Sequence, residues 1–443
     1  MDTLQYVKWL RGSSPYINAH RDRTFVLMLG GEAIADPNFE NIVHDIALLA
    51  SLDVRLVMVF GARPQIDEAY RSAGIEARYQ PQGRHLLRIT DDTGIRLVRQ
   101  VVGDLRIQIE ALLSTGLPGS PMHASRITAT GGNWVTARPL GVIDGIDFCH
   151  TGEIRRVDAV ALRRQLDAGV IPLLGPMGYS PSGEVFNLAY EEVATAVAGA
   201  LRADKLIALD EEPGLLDERG NSISEMTPRE LEAMIVRRRE ADIAGDELLR
   251  QLTALLEASR AGVRRCHLVS HAIDGALLQE LFTREGSGTQ ISEHSYEQLR
   301  PAHRDDVAGI VEITRPLADA GVLVQRSREL IEREIERFTV LELDGLVIGC
   351  AALYPYSEDQ AAEIACVVTH VDFQGADRAE KLVGHLEQLA RREGFTRTFV
   401  LTTRTSHWFV EQGYRPTTLE SLPAARRSLW SPARNSKVLS KTL

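Results

Sequence analysis

Short apolar runs separated by helical patterns dominate the first two thirds of the chain. Residues 24–30 and 54–61 are apolar runs, and the segment between them, 39–52, has the apolar spacing of a helix. A strand, a helix and a second strand in this order form a β-α-β unit, which normally has parallel strands and a right-handed crossover. The alternation continues to about residue 292, so the pattern predicts one large α/β domain over residues 24–290.

The pattern changes after a polar stretch rich in glycine and serine, residues 284–296, which is typical of a linker. Two β-rich runs then flank Asp344 and Gly345, a dipeptide favoured in hairpin turns. Further predicted elements are a strand, a helix and two strands, at 363–369, about 377–392, 397–403 and near 437–443. A run of antiparallel strands with few helices predicts a second domain of the α+β class, residues 295–443.

The first 23 residues are predicted to form a helical arm that docks on another surface. They carry apolar residues at helical spacing, namely Leu4, Val7, Trp9 and Leu10. They lack the apolar core and cleavage site of a secretory signal. No apolar run in the chain approaches the roughly 20 residues that a membrane span needs, so no membrane association is expected.

The composition narrows the possible partners and the compartment. The net charge of −11 argues against a nucleic-acid-binding protein, whose affinity depends on clustered basic residues. None of the four cysteines forms a C-x-x-C pair, so neither a zinc site nor a disulfide framework is indicated. Free thiols fit a reducing cytoplasm.

The segment TFVLMLGGEAI, residues 24–34, has the pattern of a strand, a glycine pair and a helix. This arrangement commonly presents backbone N–H groups to an anion. Met28 stands in the strand where a phosphate-handling site would carry a charge. The residues alone are compatible with a phosphoryl-transfer site, with a relic of one and with an ordinary strand-turn-helix.

The second predicted domain resembles the Gcn5-related N-acetyltransferase family. The resemblance rests on the hairpin, the strand 363–369, the loop and helix after it, and the segment WFVEQGY at 408–414. It implies acetyl-CoA as co-substrate, with the pyrophosphate bound by backbone N–H groups at a helix N-terminus. Asp377 stands where the family has a glycine. The implied cofactor-binding residues are Cys366, Val367, Val368, Gln374, Gly375, Ala376, Arg378 and Ala379.

Acetyl transfer to an amine requires a base for the ammonium group and a donor for the leaving thiolate. Glu363 opens the central strand and is the candidate base, acting directly or through a water molecule. Thr402, at the end of a later strand, is the candidate donor to the sulfur. The alternatives are a salt-bridged carboxylate at the strand edge for Glu363, simple β-propensity for Thr402, and a buried small apolar residue for Cys366.

Two arginines predict an acidic substrate. Arg326 follows a predicted strand or turn, and Arg434 and Ser436 come just before the last strand. Bidentate pairing between guanidinium and carboxylate groups suits a dicarboxylate. Taken singly, such an arginine is more often a solvated surface residue than a ligand.

Residues 4–290 resemble the amino acid kinase family, and most closely its acetylglutamate kinases. The resemblance rests on GARPQID, ADKLIALDEEPGLLD and the long segment 262–289, and it implies a three-layer sandwich with a mostly parallel sheet. The two catalytic lysines of such kinases are replaced by Met28 and Gln251, and their asparagine-containing motif is altered at 187–191. Since these groups stabilise the transferring phosphoryl group, the domain is predicted to be inactive as a kinase.

The arginine-inhibited members of the kinase family imply an effector site for L-arginine. The corresponding positions are Tyr16, His267, Glu280 and Gly288. The alternative is that Tyr16 packs in an interface and that His267 is a hydrogen-bonded core histidine.

A kinase-like domain joined to an acetyltransferase domain resembles the bacterial N-acetylglutamate synthase family. That resemblance implies acetyl transfer from acetyl-CoA to the α-amine of L-glutamate, feedback regulation by L-arginine, no metal, and a cytoplasmic homo-hexamer. Two rival hypotheses are an active acetylglutamate kinase and a non-catalytic arginine sensor.

Overall fold

The computed structural model divides into two compact units, Met1–His294 and Ser295–Leu443. The structure describes residues 3–82, 85–116, 122–217, 220–240, 247–283, 286–293, 297–343, 346–374 and 377–443. The Asp344-Gly345 turn and the positions Gly375 and Ala376 lie outside the described residues.

The first unit alternates strands and helices, as its sequence predicts. Its helices are α1 (Thr3–His20), α2 (Gly31–Ala35), α3 (Phe39–Ser51), α4 (Arg63–Ser72), α5 (Asp92–Leu113), α6 (Ala159–Asp167), α7 (Tyr190–Leu201), α8 (Pro228–Glu240), α9 (Glu247–Arg260) and α10 (Ala276–Phe282). Its strands are β1 (Thr24–Leu29), β2 (Arg55–Phe60), β3 (Tyr79–Gln82), β4 (His85–Arg88), β5 (Thr128–Gly131), β6 (Val135–Pro139), β7 (Val142–Ile143), β8 (Ile146–Asp147), β9 (Gly152–Val157), β10 (Val170–Leu174), β11 (Met177–Tyr179), β12 (Val185–Asn187), β13 (Lys205–Asp210), β14 (Leu215–Leu216), β15 (Ser222–Ile223), β16 (Glu225–Met226), β17 (Arg265–Ser270) and β18 (Thr289–Ile291).

An eight-stranded sheet forms the centre of this unit, in the order β16-β18-β17-β13-β1-β2-β10-β5. All neighbouring pairs are parallel except β17 with β18. β1 lies in the middle, so its residues Phe25–Leu29 are fully buried on both faces. This explains why the strand is apolar throughout instead of alternating apolar with polar residues.

The side chains of β1 alternate between two apolar cores. Phe25, Leu27 and Leu29 pack with α3, α4, α5 and α10 on one face. Val26 and Met28 pack with α6, α7, α8 and α9 on the other. Two helical layers around one mostly parallel sheet confirm the predicted three-layer α/β architecture.

The second unit is built on a seven-stranded sheet, in the order β19-β20-β21-β22-β23-β25-β24. The strands are β19 (Glu297–Pro301), β20 (Phe338–Leu343), β21 (Leu346–Tyr356), β22 (Ala361–Thr369), β23 (Arg397–Thr402), β24 (Arg415–Thr417) and β25 (Lys437–Thr442). The helices are α11 (Val307–Asp319), α12 (Arg328–Arg333), α13 (Arg378–Arg392), α14 (Ser406–Glu411) and α15 (Ala424–Arg427). The antiparallel pairing of β20 with β21 confirms the predicted hairpin.

Helices cover both faces of this sheet. Leu382, Val383 and Leu386 of α13 pack on one face, and α11 packs with Ile310 and Ile313 on the other. The sequence pattern identified α13 but missed α11, because Pro316 interrupts its apolar repeat near the C-terminal end. The second unit is therefore α+β, with more helix than the pattern predicts.

The N-terminal arm is helical, as predicted, but its described contacts lie near its C-terminal end. Ser13 Oγ donates to the carbonyl of Phe282 at 3.2 Å, and His20 Nε2 lies 2.7 Å from the carbonyl oxygen of Leu281. Leu10 is exposed. The side chains of Leu4 and Trp9 lie outside the described residues.

Candidate active site and effector site

β22 and β23 run side by side for three residues and then separate. Parallel pairing joins Ala361, Ala362 and Glu363 to residues 397–399, and no pairing between the strands continues beyond it in the described residues. Beyond Glu363, the residues of β22 that pair in the described sheet ladder, 364, 365, 368 and 369, pair with β21. The separation leaves backbone groups of β22 directed at a gap in the sheet, where an extended ligand can accept or donate hydrogen bonds.

A left-handed residue marks the bulged part of β22. Cys366 has φ +55°, and the register with β21 shifts between Cys350 and Ala352, the neighbouring part of β21. Such bulges bend a strand and re-aim its side chains, and they are frequent beside functional sites. Cys366, Val367 and Val368, predicted to contact acetyl-CoA, all belong to this part of the strand.

Glu363 is the last residue of β22 that pairs with β23, and its carboxylate is buried. Arg426 of α15 binds it at two points, with Nε 2.6 Å from Oε2 and Nη2 3.0 Å from Oε1. Tyr356 donates to Oε2 at 3.5 Å. The salt bridge considered as an alternative for Glu363 is therefore present, and the assignment of Glu363 as base stays a prediction.

Arg326 lies in the loop before α12 and faces the same region. Burial acts to lower the pKa of Arg326, but Cys366, Tyr354 and Glu363 act to raise it, and the net shift is upward. A hydrogen bond with the Cys350 thiol lowers the pKa of Cys366, with Arg326 acting in the same direction. Both cysteines are buried, which agrees with packing roles.

Arg434 supports the loop that carries Arg326. Its Nη2 donates to the carbonyl of Val322 at 3.0 Å, and its Nη1 donates to that of Leu323 at 3.1 Å. These two bonds use backbone acceptors only three and four residues before Arg326. The two arginines predicted to bind substrate are thus connected, and the assignment of Arg434 as a substrate ligand stays a prediction.

Thr402 ends β23 on the far side of the gap. Its pairing partner in β25 is Lys437, the first residue of that strand. Ser436 precedes Lys437 in the chain and therefore lies just beyond the end of the ladder. The Thr402 hydroxyl accepts the N–H of Thr405 at 3.0 Å and lies 2.8 Å from the Thr405 hydroxyl. Thr402 therefore shapes the turn after β23, and its role as thiol donor stays a prediction.

The loop after β22 leads into α13, a helix of 15 residues whose N-cap is Asp377 in the left-handed conformation, φ +55°. Arg378 Nη1 donates to the carbonyl of Phe373 at 3.0 Å, which ties the first helical residue to the loop. Gln374 is exposed and Ala379 half-buried. The N–H groups in the first turn of a helix, together with the helix dipole, favour an anion such as a pyrophosphate.

Side chains occupy the space around the glycine pair of the first unit. A Cβ atom on Gly30 would lie 2.6 Å from Glu247 Oε1 and 2.9 Å from Glu32 Oε2. A Cβ atom on Gly61 would lie 2.9 Å from the ring of Tyr190. The glycines thus make room for two carboxylates and a tyrosine, which supports the prediction that this is no longer a phosphate site.

Electrostatics at the glycine pair oppose phosphate binding. Burial and the charge of Glu247 raise the pKa of Glu32 to about 7. Tyr190 donates to Glu247 at 3.1 Å, and Gln251 Nε2 lies 3.3 Å from the Tyr190 hydroxyl. Met28 is fully buried between β2 and β13. The two positions that carry lysines in acetylglutamate kinases therefore supply no charge here.

His267 and Glu280 form a buried hydrogen-bonded cluster in the first unit. His267 Nδ1 lies 2.7 Å from Glu280 Oε1, and the N–H groups of Ser287 and Gly288 donate to Oε2 at 2.8 and 2.9 Å. Lys205 Nζ lies 3.0 Å from His267 Nε2. The structure thus brings together three of the four predicted arginine-site positions and adds Lys205.

The surroundings hold His267 neutral and Glu280 ionised. Burial first, and then the charge of Lys205, lower the pKa of His267 to about 4. Burial would raise the pKa of Glu280, but the hydrogen bond with His267 and those from the N–H groups of Ser287 and Gly288 lower it. A buried carboxylate that is kept charged is suited to a cationic ligand such as a guanidinium group.

Tyr16 lies half-buried on α1, with its ring centroid 6.5 Å from that of His20. His20 contacts α10, the helix that carries Glu280. The fourth predicted arginine-site residue is therefore on an element docked beside the cluster.

Sequence reasoning missed Lys205, Arg426 and Tyr356. Lys205 could have been noticed, because a lysine opening a fully buried strand needs a partner. Arg426 gives no such signal, since nothing in the sequence distinguishes it from Arg427 beside it.

Comparisons with known proteins give the same two-part division. Residues 23–270 match the amino acid kinase family, and residues 307–413 match the acetyltransferase (GNAT) family. The amino-acid acetyltransferase of Azotobacter vinelandii strain DJ is 52% identical over 438 residues, covering 99% of both chains. That of Aeromonas salmonicida strain A449 is 51% identical over 436 residues, covering 98% of this chain and 97% of the relative.

Two solved structures match along the whole chain. N-acetylglutamate synthase from Neisseria gonorrhoeae complexed with coenzyme A and L-arginine has a TM-score of 0.87 and 35% identity, and 99% of each chain is covered. The same enzyme complexed with coenzyme A and N-acetyl-glutamate has a TM-score of 0.61 and 36% identity, again with 99% of each chain covered.

The described residues contain neither a helix able to span a membrane nor a group of side chains able to hold a metal ion. No helix among them has the length and apolarity required to cross a bilayer. No group of three or more His, Cys, Asp or Glu side chains in the described part of the chain could hold a metal ion.

Proposed function

Since the chain belongs to the amino-acid acetyltransferase family, we propose that it transfers the acetyl group of acetyl-CoA to the α-amine of L-glutamate. The observation that carries this proposal is the match over both units to an N-acetylglutamate synthase that binds coenzyme A. The gap between β22 and β23, with Glu363 at its start, supports it.

In the proposed reaction, β22 provides the base and the groups that stabilise the oxyanion, and β23 provides the donor to the leaving group. Glu363 accepts a proton from the substrate ammonium group, and the amine nitrogen then forms a bond to the thioester carbon. N–H groups of β22 at Cys366 and Val367 stabilise the oxyanion. The C–S bond breaks, and Thr402 donates a hydrogen bond to the leaving thiolate. The nitrogen gives its second proton to this thiolate, so that the amide forms and coenzyme A leaves as the free thiol. Acetyl-CoA supplies the activated acetyl group.

Acetyl-CoA is proposed to lie along the second half of β22 with its pyrophosphate at the start of α13. Val368 and the loop before the helix contribute to this site, as do the positions predicted from the family pattern, Gln374, Gly375, Ala376, Arg378 and Ala379. The helix N-terminus supports this because free amides and the helix dipole both favour an anion.

The substrate carboxylates are proposed to bind Arg326, Arg434 and Ser436, and Arg434 also holds the loop of Arg326. The pair of hydrogen bonds from Arg434 to residues 322 and 323 supports this arrangement.

L-arginine is proposed to bind the first unit at Tyr16, His267, Glu280 and Gly288 and to inhibit the transfer. The buried, ionised Glu280 supports a cationic effector. The first unit is proposed to be purely regulatory, comprising an arm at residues 1–23 and a kinase-like domain at 24–290, followed by the catalytic domain at 295–443.

The assembly is proposed to be a cytoplasmic homo-hexamer. Exposed Leu10 on the arm supports a contact between subunits, and the four free thiols support a reducing compartment.

The experiment that tests the function is glutamate-dependent release of free thiol from acetyl-CoA, measured with and without arginine. We expect release only when glutamate is present, and less of it with arginine. No glutamate-dependent release would refute the proposed reaction. Release that arginine leaves unchanged would refute the effector site alone.

A further inference from the structure

Glu363, the proposed base, is bound by Arg426, to which neither the sequence patterns nor the family resemblance gives a role. Arg426 presents Nε and Nη2 to the two oxygens of Glu363, at 2.6 and 3.0 Å. Both side chains are largely buried, with 17% of the Arg426 side chain and 8% of the Glu363 side chain exposed. A two-point, buried contact of this kind is among the strong ion pairs of proteins.

This contact opposes the function of a base. A general base must present a free oxygen to the proton that it accepts, and both oxygens of Glu363 are hydrogen-bonded to Arg426. The guanidinium fork thus occupies one hydrogen-bonding position on each oxygen of the carboxylate. In the arrangement seen here, Glu363 is therefore shielded.

The charge around Glu363 matches a substrate with two carboxylates. Arg326 and Arg426 each carry one positive charge, and their repulsion is among the influences on the guanidinium of Arg426. With Glu363, the cluster has one net positive charge. An amino acid with a carboxylate side chain has one net negative charge and would neutralise it.

We propose that the substrate's side-chain carboxylate replaces Glu363 as the partner of Arg426, so that a dicarboxylic amino acid uncovers its own base. This inference rests on the proposed function and adds the source of its substrate specificity. The exchange keeps the number of ion pairs at Arg426 constant, because one carboxylate leaves the guanidinium group and another binds it.

The exchange leaves Glu363 buried without its cationic partner. Both of its oxygens are then free of Arg426 and can accept a hydrogen bond from the substrate ammonium group. The substrate ammonium supplies the proton, which moves to an oxygen of Glu363 while the nitrogen lone pair becomes free to attack. The groups that still face Glu363 are Tyr356 of β21 and Arg326 of the loop before α12.

The test compares L-glutamate with L-glutamine, which has the same length and shape but an uncharged side chain. Free-thiol release is measured at saturating acetyl-CoA in the wild-type protein and in Arg426→Gln. Because a general base contributes about 100-fold or more, we expect a wild-type kcat about 100-fold lower with glutamine. In Arg426→Gln both substrates meet the same unshielded Glu363, so the ratio of the two kcat values falls toward one.

Arg427→Gln is the matched control. Arg427 has the same charge and lies on the same short helix, but it donates to the carbonyls of Glu420 and Leu422. Its replacement should leave the ratio at the wild-type value. Arg426→Lys keeps the charge without the two-point contact, so its ratio should lie between those of the wild type and Arg426→Gln.

Three outcomes would overturn the inference. They are equal wild-type kcat values for the two substrates, an unchanged ratio in a folded Arg426→Gln, and a change in the ratio caused equally by Arg427→Gln. Circular dichroism establishes folding, and Arg426→Lys serves as the test if Arg426→Gln does not fold. If the wild-type protein shows no glutamate-dependent release, the proposed function itself fails.

Discussion

Glu363 is buried, lies on β22 beside the gap and forms a two-point ion pair with Arg426. If it is the base, its replacement should affect kcat more than the binding of glutamate. We expect Glu363→Gln to lower kcat by about 100-fold or more, because the amide cannot accept the ammonium proton. KM for glutamate should change less, since the carboxylate ligands remain. Steady-state free-thiol release measures both constants.

A second amide substitution controls for the change of charge. Glu358 is exposed on the turn before β22, and Glu358→Gln should leave both constants near wild type. An unchanged kcat in Glu363→Gln would remove Glu363 as the base.

His20 predicts how stability depends on pH. Burial and the charge of Lys205 lower the pKa of His20 to about 4. Since the unfolded chain binds the proton near pH 6.5, stability is lost as the pH falls from about 6.5 to about 4, by at most about 3 kcal/mol for this group. His20→Gln can still donate to Leu281 and should weaken this dependence, while His267, whose pKa is also lowered to about 4, accounts for part of the dependence that remains. Urea unfolding at about pH 6.5 and about pH 4.5 measures it.

His407 provides the comparison for the histidine substitution. Its side chain is 89% exposed, so His407→Gln should retain the wild-type pH dependence. Equal slopes for His20→Gln and the wild type would show that His20 is not the group responsible.

At the scale of elements, Arg434 connects the segment before β25 to the loop that carries Arg326. Removing its two charged hydrogen bonds should loosen the loop, and we expect Arg434→Ala to raise KM for glutamate about tenfold. The effect on kcat should be smaller. Arg326→Ala should raise KM similarly, because it removes the carboxylate ligand itself.

Arg415→Ala is the control for this pair, because Arg415 is exposed on β24. If KM stays the same in both Arg326→Ala and Arg434→Ala, the carboxylates bind elsewhere in the domain.

At the scale of the whole molecule, the proposed effector site and the proposed active site belong to different units. We expect Glu280→Gln to raise the arginine concentration needed for half-maximal inhibition about tenfold, because it removes the buried anion that would pair with a guanidinium group. Thiol release titrated with arginine measures this. Glu257→Gln, at an exposed position of α9, should behave as wild type. An unchanged titration for Glu280→Gln would place the arginine site elsewhere.

The whole molecule should show no kinase activity. Met28 and Gln251 supply no cation, and the carboxyl groups of Glu32 and Glu247 lie beside Gly30. We therefore expect no ATP turnover dependent on N-acetylglutamate in a coupled ADP assay, with an active acetylglutamate kinase as positive control. Turnover above background would contradict this interpretation.

The sequence by itself determined the two-domain organisation and the class of each fold. Alternation of buried strands with helices predicts a parallel three-layer domain, because only a sheet covered on both faces buries strands such as 24–29. The sequence also shows that positions 28 and 251 carry the uncharged residues Met28 and Gln251, because residue types are known without coordinates. α11 escaped detection, since its proline weakens the helical pattern.

Only the tertiary structure decided which side chains meet. Glu363 and Arg426 are 63 positions apart in the chain, and Lys205 and His267 are 62 apart. Local patterns carry no information about such contacts, because strand order and register bring distant residues together. The sequence could therefore nominate Glu363 as a base, whereas its shielding by Arg426 depends on how α15 packs beside β22.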